Sequence, residues 1–182
     1  MTKNKKLLSI VYVSLFAVLM SVCAWICVPF VVPFTMQTFA VILALNFLGG
    51  RRGSVAILLY LSIGAVGVPV FSGFTSGIGT LLGQNGGYLF GWLLGGLVTW
   101  LFDALPIKRS ASRLASSIIA LILCYVVGTV WYVAVYTRTG GEIGILAALA
   151  GCVFPFILPD AIKLALAYWL ANRLRRISGL TK

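Results

Sequence analysis

The sequence predicts an all-α integral membrane protein: six transmembrane helices, both termini cytoplasmic, and an ordered outer loop capping a ligand pocket. Three observations carry this. Of 182 residues, 61% are hydrophobic and 9% charged, at a mean hydropathy of +1.09, whereas a soluble domain carries about 25% charged residues. Twelve of the fourteen Lys and Arg residues fall on one side if the chain crosses six times. Two opposite charges, Asp160 and Lys163, stand inside a long apolar segment.

The apolar runs cover residues about 7–28, 35–48, 53–70, 87–105, 114–135 and 145–172. They fill one membrane domain, 1–182, and no composition shift marks a soluble one. The first run follows lysines as a signal peptide would. It is too long for such an apolar region and no small-residue cleavage site follows, so it reads as a first membrane helix. A helix needs about 20 apolar residues to cross, so the second run is short unless it borrows from the segment 31–34. The fourth carries Gly87, Gly91 and Gly95 at four-residue spacing, a ridge that permits close helix contact. Ser14, Ala17, Ser21 and Ala24 form a similar small-residue face on the first. Internal packing is the commoner use of such faces; on the terminal helix Ala17 and Ser21 are alternatively a docking face for another membrane protein. The sixth run is long, and Pro155 and Pro159 are expected to bend it.

The cations set the orientation. Lys3, Lys5 and Lys6 precede the first run; Arg51 and Arg52 join the second to the third. Lys108, Arg109 and Arg113 join the fourth to the fifth, and Arg173, Arg175, Arg176 and Lys182 follow the sixth. The opposite side has Arg138 alone, near Glu142. An excess of Lys and Arg marks cytoplasmic connections, which places both termini inside. In a soluble protein a net charge of +11 would suggest nucleic acid. Here its distribution speaks of membrane topology, and no nucleic-acid partner is expected.

Enzyme chemistry is not expected. The chain has no histidine and three acids, which removes the usual general base and leaves one membrane-embedded carboxylate, too few for paired acid–base work. No phosphate-cradling Gly-x4-Gly-Lys-Ser/Thr occurs, so no ATP site is expected. Cys23, Cys27, Cys124 and Cys152 lie in the apolar runs without histidine or nearby carboxylates. They read as packing residues, and no metal site or cofactor is assigned.

Binding survives this elimination. A charge in hydrocarbon costs roughly 2.5–3.5 kcal/mol on insertion scales, so such groups face a cavity, a partner or a ligand. Three-residue spacing puts Asp160 and Lys163 on one helix face. They either neutralise each other as an ion bridge pinning the helix, or form a polar socket for a zwitterionic or carboxylate-bearing solute. Counting back from Ala171 at 1.5 Å per residue puts Asp160 ~12 Å below the outer boundary. The outer segment 71–86 is apolar and glycine-rich, and loops of this length are usually functional lids. It is expected to fold over the bundle's mouth, its glycines, Gly73 among them, letting backbone approach a ligand. Asn85 from this loop and Gln37 offer donors and acceptors, while Phe34, Phe71, Tyr88 and Trp92 provide apolar walls.

Four stretches carry a family resemblance over nearly the whole chain. They are Val32-Pro33-Phe34-Thr35-Met36-Gln37-Thr38, Tyr60-Leu61-x2-Gly64-x2-Gly67-Val68-Pro69-Val70-Phe71-Ser72-Gly73, Gly83-Gln84-Asn85-Gly86-Gly87-Tyr88-Leu89-x-Gly91, and Pro159-Asp160-x2-Lys163. Together, in this order, they resemble the BioY family, the biotin-specific substrate-binding (S) components of energy-coupling-factor (ECF) vitamin transporters. Where that family usually reads Gly-Pro-Thr-Gly-Gly-Tyr, this chain has Gln84-Asn85. The resemblance implies biotin capture in the bacterial cytoplasmic membrane, a transmembrane coupling subunit that docks near Ala17 and Ser21, and two cytoplasmic ATPases that supply the energy. An S component for another vitamin, or a non-transporting membrane scaffold, is the alternative.

Overall fold

A computed structural model describes residues 3–106, 109–139, 141 and 143–178. Lys108, Glu142 and Lys182, used above to argue orientation, lie outside the described residues. Helix α1 spans Lys3–Trp25, a two-residue strand pair follows, and α2 spans Gln37–Leu48. Then come α3 (Gly50–Ala65), the short α4 (Ile78–Leu82), α5 (Gly86–Asp103) and α6 (Arg109–Arg138). Last are α7 (Ile145–Cys152) and α8 (Phe154–Ser178). Among the described residues, three segments are long and apolar enough to cross a membrane: Lys6–Trp25, Ser110–Arg138 and Ile145–Ile177.

Several of the apolar runs end as helices where glycine or proline enters: α2 at Gly49, α3 just before Gly67 and α5 just before Pro106. Helix α2 is hydrophobic on every side, the pattern of a fully buried helix. Its residues from Ala40 to Phe47 are all buried, packed by α1, α3 and α8. Its shortness follows from that burial: it ends at Gly49, whose φ of +84° turns the chain directly into α3. Asp103, at the end of α5, accepts the Gly50 N–H at 2.6 Å, satisfying one of the free donors that open α3.

The α5 glycine ridge is internal. A Cβ at Gly91 would lie 2.7 Å from the Cys124 Cα, and one at Gly95 2.7 Å from the Ala120 Cβ, so α5 and α6 approach to backbone contact. The α1 ridge proves internal too. Ala17 and Ser21, expected as a docking face, are 2% and 7% exposed in the core shared with α2 and α3. Small side chains let α1 sit close to its own bundle, and the surface it offers outward is the opposite one, with Leu15, Val18 and Val22. The bend in the sixth run also differs from expectation. It falls at Val153, between α7 and α8, while Pro155 sits in the first turn of α8, where a missing N–H costs nothing. Pro159 is accommodated within the helix.

Two hydrogen bonds tie helices together at the end of the bundle where α2 meets α3 and α5 leads to α6. Arg175 Nε on α8 donates to the Phe47 carbonyl of α2 at 2.9 Å, and Ser112 Oγ on α6 donates to the Phe102 carbonyl of α5 at 2.9 Å. This is called the basic end below, and the other the cavity end.

Candidate functional site

At the cavity end, connecting segments complete the structure between the helices. The strand pair, antiparallel with Cys27 opposite Thr35 and Val28 opposite Phe34, leads the chain into α2. From α3 the chain passes through a short 3-10 turn at Ser72–Phe74 and then α4 before entering α5. Between these connections and α5, α6, α7 and α8 lies a cavity of about 460 Å³, within the roughly 300–1,000 Å³ of small-molecule sites.

Asp160 and Lys163 border it from α8, 4% and 5% exposed. Lys163 Nζ donates to Asp160 Oδ1 at 2.9 Å and to the Thr35 carbonyl at 2.7 Å. It also stands 3.7 Å from the centre of the Phe34 ring, a cation–π contact. Tyr125 on α6 donates its hydroxyl to the other carboxylate oxygen, Oδ2, at 2.7 Å. Buried charges need partners beyond one another, and each has them. The pair is therefore mutually bonded and also borders the cavity.

Gln37 lines the cavity from the first turn of α2, its amide Nε2 donating to Tyr60 Oη at 3.3 Å. That hydroxyl donates onward to the Val70 carbonyl at 3.3 Å, which ties the amide to the start of the loop. Phe71, 2% exposed, lines the cavity too, and its ring fills the space a side chain at Gly64 would occupy. From α5, Tyr88 and Trp92 provide walls, with Tyr88 Oη 3.3 Å from Thr129 Oγ1. Asn85 lines the cavity with its Oδ1 buried and, among the described residues, without a hydrogen-bond partner, as is Asn46 Oδ1 in the core.

Seven of the nine residues expected to bind substrate thus border one cavity. Two do not. Phe34 lies behind Lys163, its ring against the ammonium and stacked on Phe156 with centroids 6.0 Å apart. Gly73 is exposed in the 3-10 turn, where its φ of +68° favours glycine, and Ser72 and Thr75 line the cavity in its place. Tyr125 is the main residue sequence reasoning missed. A phenol in mid-span should have signalled it, because a buried hydroxyl needs a partner.

The loop is held at several points. Trp131 Nε1 donates to the Gly83 carbonyl at 2.9 Å, and Trp25 Nε1 to the Pro69 carbonyl at 2.9 Å. Trp25 also stacks on Phe74, centroids 5.1 Å apart.

A model of the BioY family matches residues 1–179. The chain belongs to the BioY family. Among BioY relatives, the biotin transporter BioY of Thermotoga maritima is 38% identical over 164 residues, covering 90% of this chain and 93% of that one. The probable biotin transporter BioY of Pyrococcus horikoshii is 37% identical with the same coverage. In three dimensions the chain is similar to the S-component for biotin from an ECF-type ABC transporter, known from a crystal structure. The TM-score is 0.83 at 24% identity, over 97% of this chain and 95% of that one.

Proposed function

We propose that this chain captures biotin at the outer face of the bacterial cytoplasmic membrane, as the S component of an ATP-driven ECF transporter. The observation that carries it is a buried Asp160–Lys163 pair bordering a cavity of about 460 Å³ in a chain of the BioY family. In this reading the bundle crosses six times, with α7 and α8 sharing the sixth crossing and both termini inside, as the grouped cations favour. The loop between α3 and α5 then caps the cavity from outside.

Biotin offers a cyclic urea with two N–H donors and a carbonyl, a thioether ring, and a carboxylate tail. Asp160 accepts from the urea N–H groups through lone pairs that Lys163 and Tyr125 leave open; hydrogen bonds to a carboxylate are the stronger kind. Lys163 keeps the carboxylate ionised or meets the tail directly. Asn85 Oδ1 takes a remaining donor, and Trp92, Tyr88 and Phe71 pack the apolar ring. No cofactor enters. ATP is bound by other chains, two cytoplasmic ATPases joined through a transmembrane coupling subunit.

Equilibrium binding on purified protein tests this. The wild-type chain is expected to retain biotin through purification and to ignore thiamine and riboflavin. Asp160→Asn is expected to weaken biotin about 100-fold or more, since Lys163 also loses its counter-charge. Unchanged affinity in that variant refutes the assignment.

A further inference from the structure

Helices α1 and α3 both leave the basic end and run side by side, yet they do not close over their first turns, up to Ser14 and Leu59. A groove of about 690 Å³ lies between them. Its lining changes character along the helices. Lys6, Arg51 and Arg52 come from the first turns; Ile10 and Val13 on α1, and Val55 and Leu59 on α3, follow further in. From Arg51 to Leu59 is about 12 Å at 1.5 Å per residue. The aliphatic walls are not covered by the rest of the chain: Ile10 is 64% and Val55 50% exposed. Ser9 and Ser14 add hydroxyls to the lining.

None of the three cations makes an ion pair among the described residues. Arg51 rests near the Trp100 ring, 6.0 Å from its centre, and Asp103, the described acid at this end, is bonded to the Gly50 N–H. Three positive charges without an acid in the lining, continued by an uncovered apolar slot, have the polarity of one amphiphile with an anionic head and a hydrocarbon chain. Basic pockets between membrane helices on the cytoplasmic side are suited to such headgroups. A choline head would bring its own cation to the same three charges and be disfavoured.

We infer that this groove is a binding site for an anionic phospholipid, its phosphate among Lys6, Arg51 and Arg52 and an acyl chain along Val13, Val55 and Leu59. The leaflet, the inner one, follows from the orientation proposed above; the binding itself depends on neither that orientation nor biotin. The site lies at the opposite end of the bundle from the substrate cavity.

Reconstitution of the full chain in phosphatidylcholine nanodiscs containing a minor share of phosphatidylglycerol, followed by native mass spectrometry of the lipids it retains, tests this. Phosphatidylglycerol is expected to be enriched about tenfold over its share of the bilayer. The double substitution Arg51→Gln with Arg52→Gln should abolish the enrichment with biotin affinity unchanged; Lys6→Gln, at an exposed helix start, should reduce it even if the double variant does not fold. Val55→Trp keeps every charge and fills the apolar slot, so it too should release the lipid. Enrichment in the wild type below about twofold overturns the proposal. So does full retention in Val55→Trp, which would mean a diffuse attraction of headgroups to surface charge. Displacement by equimolar glycerophosphoglycerol, which has no acyl chain, would instead mark a site for soluble phosphate esters. If Val55→Trp blocks assembly with a coupling subunit and leaves lipid retention intact, the groove belongs to a protein partner and the lipid assignment falls.

Discussion

Asp160 with Lys163, and Asn46 with Ser117, are both polar centres buried among apolar helices, but they are held in different ways. Asn46, 2% exposed, donates from Nδ2 to Ser117 Oγ at 2.7 Å and to the Ile42 carbonyl at 2.9 Å. That joins α2 to α6, and neither residue lines the cavity or the basic groove. The charged pair gathers three residues from two other places, Phe34 and Thr35 of the strand pair and Tyr125 of α6, and stands beside a hollow. A neutral amide needs one neighbour to be useful as a fastening. A charge needs several, and the architecture that supplies them leaves room for a solute. Polarity alone therefore does not mark the site; polarity next to unfilled volume does.

The contrast can be broken most severely at the charges. Lys163→Met leaves Asp160 buried with Tyr125 as its one remaining side-chain partner, and removing one member of a buried pair costs about 3–5 kcal/mol. Calorimetry with biotin should show a loss of about 100-fold or more, with a lower unfolding temperature; an affinity within about threefold of wild type would reduce the pair to a structural clasp. Tyr125→Phe removes one hydrogen bond to a carboxylate, worth roughly 1.5–3 kcal/mol. The thermal transition should fall accordingly, and biotin binding should weaken by about tenfold as Asp160 loses the group that orients it; a lower transition with unchanged affinity would make Tyr125 a structural partner only.

Smaller effects belong to the fastenings. Gly95→Ala places a methyl against Ala120, and overpacking of this kind costs about 1–3 kcal/mol. Thermal scans in detergent should register it, with biotin affinity preserved in the fraction that remains folded. Asn46→Leu should be the mildest, since hydrogen bonds between membrane helices average about 0.6 kcal/mol. A large loss of biotin binding in that variant would erase the distinction between the two centres.

The charged pair was legible in the sequence because it is conspicuous: Asp160 and Lys163 are the ionisable residues of an otherwise apolar segment. Gln37, Asn85, Tyr88 and Phe71 were legible through their place in the family motifs, and Trp92 as an aromatic beside them on the same apolar run. Other features depend on which surfaces face each other, and residue types do not carry that. The ridge at Ala17 and Ser21 has the composition of a contact face whether its partner is another protein or its own α2 and α3, and the latter holds. Phe34 was read as a wall and is instead a platform under the ammonium. The Thr35 carbonyl, a principal partner of Lys163, is a backbone group and leaves no trace in residue identity. Tyr125 resembles any core aromatic until its neighbour on α8 is known.

The bond from Lys163 to that carbonyl has a consequence for how tightly a small solute can be held. Thr35 closes the strand pair and Lys163 belongs to the last helix, so a single ammonium rivets the two ends of the chain's fold together around the empty volume. Groups already fixed in their bonding geometry surrender little freedom when a guest arrives, and affinity rises through entropy that need not be lost. Scarce nutrients are best harvested by a receptor that is rigid before the encounter.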